Sequence, residues 1–152
     1  IKSFDYSTGQ TLATNVFGFD SSKYYSVFTL GTASAYQNVV TRDNFDSLST
    51  TAGMAYVRYI NAVNDPNPVA VSFMSNGTEF IKTNAPFASV SGFMAAAPGD
   101  VNITITNDGS VNSNRKITVE QNKLYTILLT GIPGSTDSDK AVQIKFIQNG
   151  SL

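Results

Sequence analysis

Three observations predict an all-β chain: an immunoglobulin-like antiparallel β-sandwich, with a partial second sandwich module at the N-terminus. Apolar and polar residues alternate with period two, turn-forming residues interrupt the alternation at short intervals, and residues 9–31 return in outline as residues 109–131. No segment sustains helical periodicity. Residues 94–97 are helix-compatible by propensity, but Gly92 and Pro98 leave too little room for a helix.

Taken in order, the strands of the complete module begin at about 54–62, where Tyr56, Arg58 and Ile60 alternate with Val57, Tyr59 and Asn61. The run Asn64-Asp65-Pro66-Asn67-Pro68 ends this strand, because proline has no backbone donor for a ladder. Val69-Ala70-Val71-Ser72-Phe73 predicts a second strand at about 69–74. Asn76-Gly77 then gives the strongest hairpin signal, since a type I′ turn needs positive φ at both central residues, and a third strand follows at about 78–82. A fourth is expected over 88–96, closed by Pro98-Gly99-Asp100. Ile103 and Ile105 mark 101–106, Asn107-Asp108-Gly109 a turn, and Ile117 and Val119 a strand over 115–120. Strands over 124–130 and 141–147 flank Ile132-Pro133-Gly134.

The repeat divides the chain. Gly9, Lys23, Tyr25 and Gly31 coincide with Gly109, Lys123, Tyr125 and Gly131, and residues 22–31 read as a conservative copy of 122–131. Only the second copy follows a further run of strand-like sequence. We therefore expect residues 1–45 to be the C-terminal part of a first module, 46–52 a linker within the polar stretch 42–53, and 53–152 a complete second module. The recurring Tyr25 and Tyr125 are read as structural: a tyrosine at a strand start buries its ring and turns its hydroxyl back to upstream backbone.

Composition restricts function. Charged residues make up 14% of the chain, below the ~25% of average proteins, and Ser, Thr, Asn and Gly fill the space between apolar runs. This is the texture of an extracellular β protein, and 41% hydrophobic residues supply a core. A net charge of −1 without a basic run argues against nucleic acid as a partner. No apolar stretch approaches the ~20 residues that span a bilayer as a helix. A first residue of Ile1 implies a processed or trimmed chain, with any signal peptide or lipid-bearing cysteine out of view.

The chain has no histidine and no cysteine, which removes the usual general base, the usual zinc ligand and thiol nucleophiles. Carboxylate pairs remain, and the acidic residues fall mostly in turns, so no enzyme, cofactor or metal is expected. Asp43 with Asp46, Asp65 with Asn64 and Asn67, and Asp137 with Asp139 are the acidic clusters; none has the spaced loop pattern that supplies calcium's six to eight oxygens. Asp137 and Asp139 lie in a long connection and are retained as candidate ligand-contact residues. Tyr36, Phe45 and Phe87 fall outside the strand pattern and are read as loop-borne aromatics that could stack on a glycan. Asn76, Asn102 and Asn149 each begin an N-glycan triplet, and Asp46-Ser47-Leu48 is similar to a short bacterial O-glycosylation motif, with Ser47 as acceptor.

Four ordered segments carry a family resemblance. They are Met54-Ala55-Tyr56-Val57-Arg58-Tyr59-Ile60-Asn61-Ala62, Pro86-Phe87-Ala88-Ser89-Val90-Ser91-Gly92-Phe93, Pro98-Gly99-Asp100-Val101-Asn102-Ile103-Thr104-Ile105 and Lys123-Leu124-Tyr125-Thr126-Ile127-Leu128-Leu129-Thr130-Gly131. In this order and spacing the chain resembles the domain of unknown function 4397 family over about 53–147. Residues 23–31 with Val39-Val40-Thr41-Arg42-Asp43 resemble the end of a preceding module. The resemblance implies a β-sandwich of bacterial cell-envelope proteins, often lipid-anchored and in tandem, with no catalytic residues to carry over.

The expected function is a non-enzymatic surface or envelope module for binding, adhesion or scaffolding, with a protein or glycan partner. One alternative is self-assembly by strand addition, because a partial module leaves edges that need a partner. Another is a carboxylate-dependent glycoside hydrolase or its accessory.

Overall fold

The structure, a computed structural model, describes residues 1–33, 35–49 and 53–152. The chain divides into two compact units, Ile1–Ser47 and Leu48–Leu152. Residues 50–52 of the expected linker lie outside the described residues. Its first residues, Asp46 and Ser47, belong to a short 3-10 turn, Phe45–Ser47, in the first unit.

The first unit is two hairpins. β1 (Lys2–Phe4) pairs antiparallel with β2 (Thr11–Thr14), and β3 (Tyr24–Thr32) with β4 (Ala35–Asp43). The Asp5 carboxylate accepts bonds from the Ser7 and Thr8 amides at 2.8 and 2.9 Å, folding the first turn, and Gly9 closes it at φ 69°. A polar chain joins the hairpins: Thr29 Oγ1 donates to Ser3 Oγ at 2.9 Å, and Ser3 Oγ donates to Asn38 Oδ1 at 2.7 Å. Among the described hydrophobic residues of this unit only Ala13 is buried.

The second unit stacks two four-stranded sheets. One has the order β10-β9-β6-β7, from β6 (Val69–Ser75), β7 (Thr78–Ala85), β9 (Gly99–Thr106) and β10 (Asn112–Val119). The other has the order β12-β11-β5-β8, from β5 (Ala55–Val63), β8 (Met94–Ala96), β11 (Lys123–Gly131) and β12 (Gln143–Ser151). Alternate residues of the facing sheets fill the core: Val57 and Tyr59, Val71 and Phe73, Ile103 and Ile105, Ile127 and Leu129. The chain is thus all-β, with sheets packed as a sandwich. All strand pairs of the second unit are antiparallel except β5 with β11, which run parallel from Leu124 opposite Tyr56 to Gly131 opposite Val63.

The expected strand over 88–96 is not continuous, and only Met94–Ala96 forms β8. A turn at Phe87 and Ala88, with Ala88 at φ 66°, breaks the ladder ahead of it. The intervening residues still close the edge of β5: the Ala88 amide donates to Asn61 O at 2.7 Å, Asn61 N to Ser89 O at 2.9 Å, and Ser91 N to Tyr59 O at 3.0 Å. Asn61 is fully buried and satisfied, its Nδ2 donating to Ala85 O and its Oδ1 accepting from Val63 N. The hairpin signal at Asn76-Gly77 is realised with φ 49° and 75°, as a type I′ turn requires.

Both recurring tyrosines form the same corner. The Tyr25 hydroxyl accepts from the Asp20 amide at 3.0 Å, and the Tyr125 hydroxyl accepts from the Glu120 amide at 3.0 Å. Ser22 and Asn122, each three residues before its tyrosine, are left-handed at φ 60° and 59°. Gly31 and Gly131 follow at φ 118° and 122°, and a Cβ on either would collide with backbone, at Ala35 where β4 opens and at Ala141 and Val142 just before β12.

Two stability predictions follow from these positions. Gly131→Ala is expected to lower the unfolding free energy by about 2–4 kcal/mol, since it combines a strained φ with a backbone collision. Tyr125→Phe should cost about 1 kcal/mol by leaving the Glu120 amide without its acceptor. Denaturant midpoints at constant m-value check both.

Candidate functional site

The outer face of the β10-β9-β6-β7 sheet is a grid of short polar side chains. Because side chains alternate along each strand, Val71, Phe73, Ile103 and Ile105 point inward, and Ala70, Ser72, Thr104 and Thr106 point outward. Register then aligns them in rows across the strands. One row runs Asn84, Ala70, Thr106, Asn112, and the next Lys82, Ser72, Thr104, Asn114.

Two shallow hollows of about 340 and 270 Å³ lie on this face and share Ala70, Asn84 and Thr106. Ala70 makes the depression, as the one residue of its row without a polar side chain. At one end Glu79 accepts a 2.5 Å bond from Ser72 Oγ and pairs with Lys82 Nζ at 3.1 Å. At the other end a built loop borders the hollow. Asp65 Oδ2 accepts from Asn107 Nδ2 at 3.0 Å and from Ser110 Oγ at 3.3 Å, and its Oδ1 accepts from the Asn67 amide at 2.8 Å. This face presents hydroxyl and amide donors and acceptors together with the paired charges Glu79–Lys82 and Asp100–Lys116, a surface suited to hydrogen-bonding a polyhydroxyl or polar peptide ligand.

The residues singled out from the sequence are dispersed. Tyr36 is not in a loop: it lies on β4 opposite Gly31 and is 36% exposed. Phe45 is not in a loop either; it sits in the 3-10 turn with its ring 5.5 Å from that of Tyr24. Phe87 occupies the turn after β7 and is half-buried. Ser47 is exposed and its hydroxyl donates to Asn44 O at 2.8 Å. Asp137 and Asp139 share an exposed loop in which the Asp137 carboxylate accepts from the Asp139 amide at 3.0 Å and pairs with Lys140 at 2.9 Å. The acidic pair Asp43 and Asp46 is likewise engaged, Asp43 by Ser26 Oγ at 2.8 Å and Asp46 by Lys23 at 2.7 Å. Asn76 and Asn102 are exposed, while Asn149 Oδ1 accepts from Thr126 Oγ1 at 2.7 Å. Among the described residues no group of three or more acidic side chains could hold a metal ion, and no helix is long and apolar enough to cross a membrane.

Arg58 is the residue that sequence reasoning passed over. It sits on the face of β5 opposite the core and is 1% exposed. Its Nε donates to Thr126 Oγ1 at 2.9 Å, and its guanidinium lies 4.5 Å from the centre of the Phe93 ring. The signal was a lone arginine in the most apolar strand, since such a charge persists only when partners satisfy it. Burial makes it an organiser of β5 and β11 and removes it from reach of a ligand.

Every acidic side chain with a clear shift is held below its ordinary pKa. Asp46 is lowered by the Lys23 hydrogen bond, Glu79 by Ser72 and then Lys82, Asp100 by Lys116 and then Thr118, and Asp137 by Lys140. These groups stay ionised, the opposite of the raised value a general acid needs. A lowered folded pKa stabilises above the unfolded value and loses that contribution as pH falls through the folded one. Acid stability should therefore decline below the ordinary values of 3.8 for Asp and 4.5 for Glu. Lys116 is raised by Asp100, so its share of the same pair persists below 10.5 and fades as pH rises through the higher folded value. Melting temperature against pH should be flatter at both ends for Asp100→Asn than for the unmodified chain.

No curated protein matches the chain. A family model described as a domain of unknown function, DUF4397, matches residues 55–149, from the first residue of β5 into β12. It covers the two sheets of the second unit, the polar face and Arg58 included. The chain therefore belongs to the DUF4397 family.

Proposed function

We propose that this chain is a non-enzymatic β-sandwich module of a bacterial cell surface or envelope that binds or scaffolds, and that the outer face of the β10-β9-β6-β7 sheet engages its partner. The observation that carries this reading is the pair of adjoining hollows on that face, lined by Ser72, Thr104, Thr106 and Asn84. Short hydroxyl and amide side chains on a rigid sheet form many hydrogen bonds at small entropic cost, which suits a glycan. Carboxylates held in their ionised state by hydroxyl and ammonium partners support a binding role over acid catalysis. Low charge density, with Ser, Thr, Asn and Gly filling the space between apolar runs, supports an envelope setting.

Titration against a glycan array and purified envelope polysaccharides tests the reading. One glycan class should bind saturably, and Thr104→Arg, which fills the hollow without touching the core, should weaken binding about tenfold or more. Turnover of a glycoside by the intact chain, lost in Glu79→Gln, would replace this reading with the hydrolase one.

A further inference from the structure

The first unit has the plan of the second unit's last four strands. A shift of one hundred residues carries the β1–β2 hairpin with Gly9 onto the β9–β10 hairpin with Gly109 and β3 onto β11, and in each copy the next strand, β4 or β12, folds back antiparallel on it, β12 after a longer connection. The correspondence extends to conformation: the two tyrosine corners are each 3.0 Å long, and the left-handed residues before them and the crowded glycines after them match within a few degrees.

The two copies differ in what covers them. β11 carries β12 on one edge and β5, parallel, on the other, while among the described residues β3 pairs with β4 alone. β9 is flanked by β10 and β6, while β1 pairs with β2 alone. Burial follows. On the inner face Ile127 and Leu129 are 0% exposed and Tyr125 is 2%, yet Val27 is 45% exposed, Thr29 is exposed and Tyr25 is half-buried. Phe17 and Phe19 gather on Tyr25, with ring centres 5.6 and 5.0 Å away, and remain 36% and 54% exposed. Unburied apolar side chains at positions that form the core of the companion unit mark an acceptor.

We infer that the inner face of β3 receives the first half of another DUF4397 module, strands of the β5–β8 type, donated from outside these 152 residues. The second unit supplies the template, because there the same face is completed by β5 to β8. It also gives the register: Val57 lies opposite Tyr125 and Tyr59 opposite Ile127, so the donated strand runs parallel to β3 with apolar residues beside Tyr25 and Val27. A second copy of this chain is a poor donor, since its β5 is paired on both edges and its Val57 and Tyr59 are already in a core. This inference is independent of the glycan-binding reading, which concerns the second unit.

The test uses the full chain with a separately prepared polypeptide of residues 53–97 as the probe. A one-to-one complex is expected, with amide exchange in 24–32 slowed about tenfold or more and binding weakened at least tenfold by Val27→Asp. Three results would overturn the inference. The probe fails to slow exchange in 24–32; or binding survives Val27→Asp, which means capture by residues 98–152; or sedimentation shows a dimer with 24–32 protected before any probe is added, which makes a second copy the occupant. The exchange measurement on the unmodified chain stands whether or not the variant folds.

Discussion

The parallel pairing of β5 with β11 organises the second unit. It places β5 inside its sheet, with β11 on one edge and β8 and residues 88–91 on the other, so eight of its nine residues are buried. A strand enclosed in this way has no solvated face, and its side chains must be apolar or fully satisfied. Val57 and Ile60 meet the first condition, each contributing roughly 1.5–3 kcal/mol of burial. Arg58 and Asn61 meet the second, through Thr126 and Phe93 and through Ala85 and Val63. The polar outer sheet is possible because this inner layer holds the other sheet's apolar face.

Much of the fold is legible in residue order because local chemistry and tertiary demand agree. Asn76-Gly77 has one low-energy hairpin conformation, and Val69-Ala70-Val71-Ser72-Phe73 alternates cleanly because one of its faces meets solvent. The stretch 88–96 departs from a single strand because its apolar residues serve edge closure through irregular backbone, which has no periodicity to detect. Arg58 is hidden for a related reason: alternation places it with Tyr56 and Ile60, and only the three-dimensional arrangement shows that their face is covered as well. The polar grid was readable residue by residue, but its rows depend on register between strands distant in sequence, which a single strand does not encode. Tyr36, Phe45 and Phe87 share no strand pattern in the sequence, and the structure separates them into a strand, a 3-10 turn and a turn.

The two units show how far a shared local pattern determines structure. The corner tyrosine, the left-handed residue before it and the glycine after it adopt the same conformations in both, although one tyrosine is 2% exposed and the other half-buried. Hairpin geometry is therefore set within the hairpin. Burial is set by the company it keeps, and the same strand pattern gives a dense core in one unit and an open apolar face in the other.

The long reach of the β5–β11 ladder also has a temporal meaning. Arg58 and Thr126 are 68 positions apart, and both lie on adjoining strands of one sheet. During synthesis β5 emerges well before β11 exists, so its unpaired backbone edge and its apolar side chains wait through most of the module's translation. Folding dominated by such distant contacts is slow and leaves sticky intermediates. The unpaired edge of β5 is therefore where an unfinished module is most open to pairing with the wrong strand.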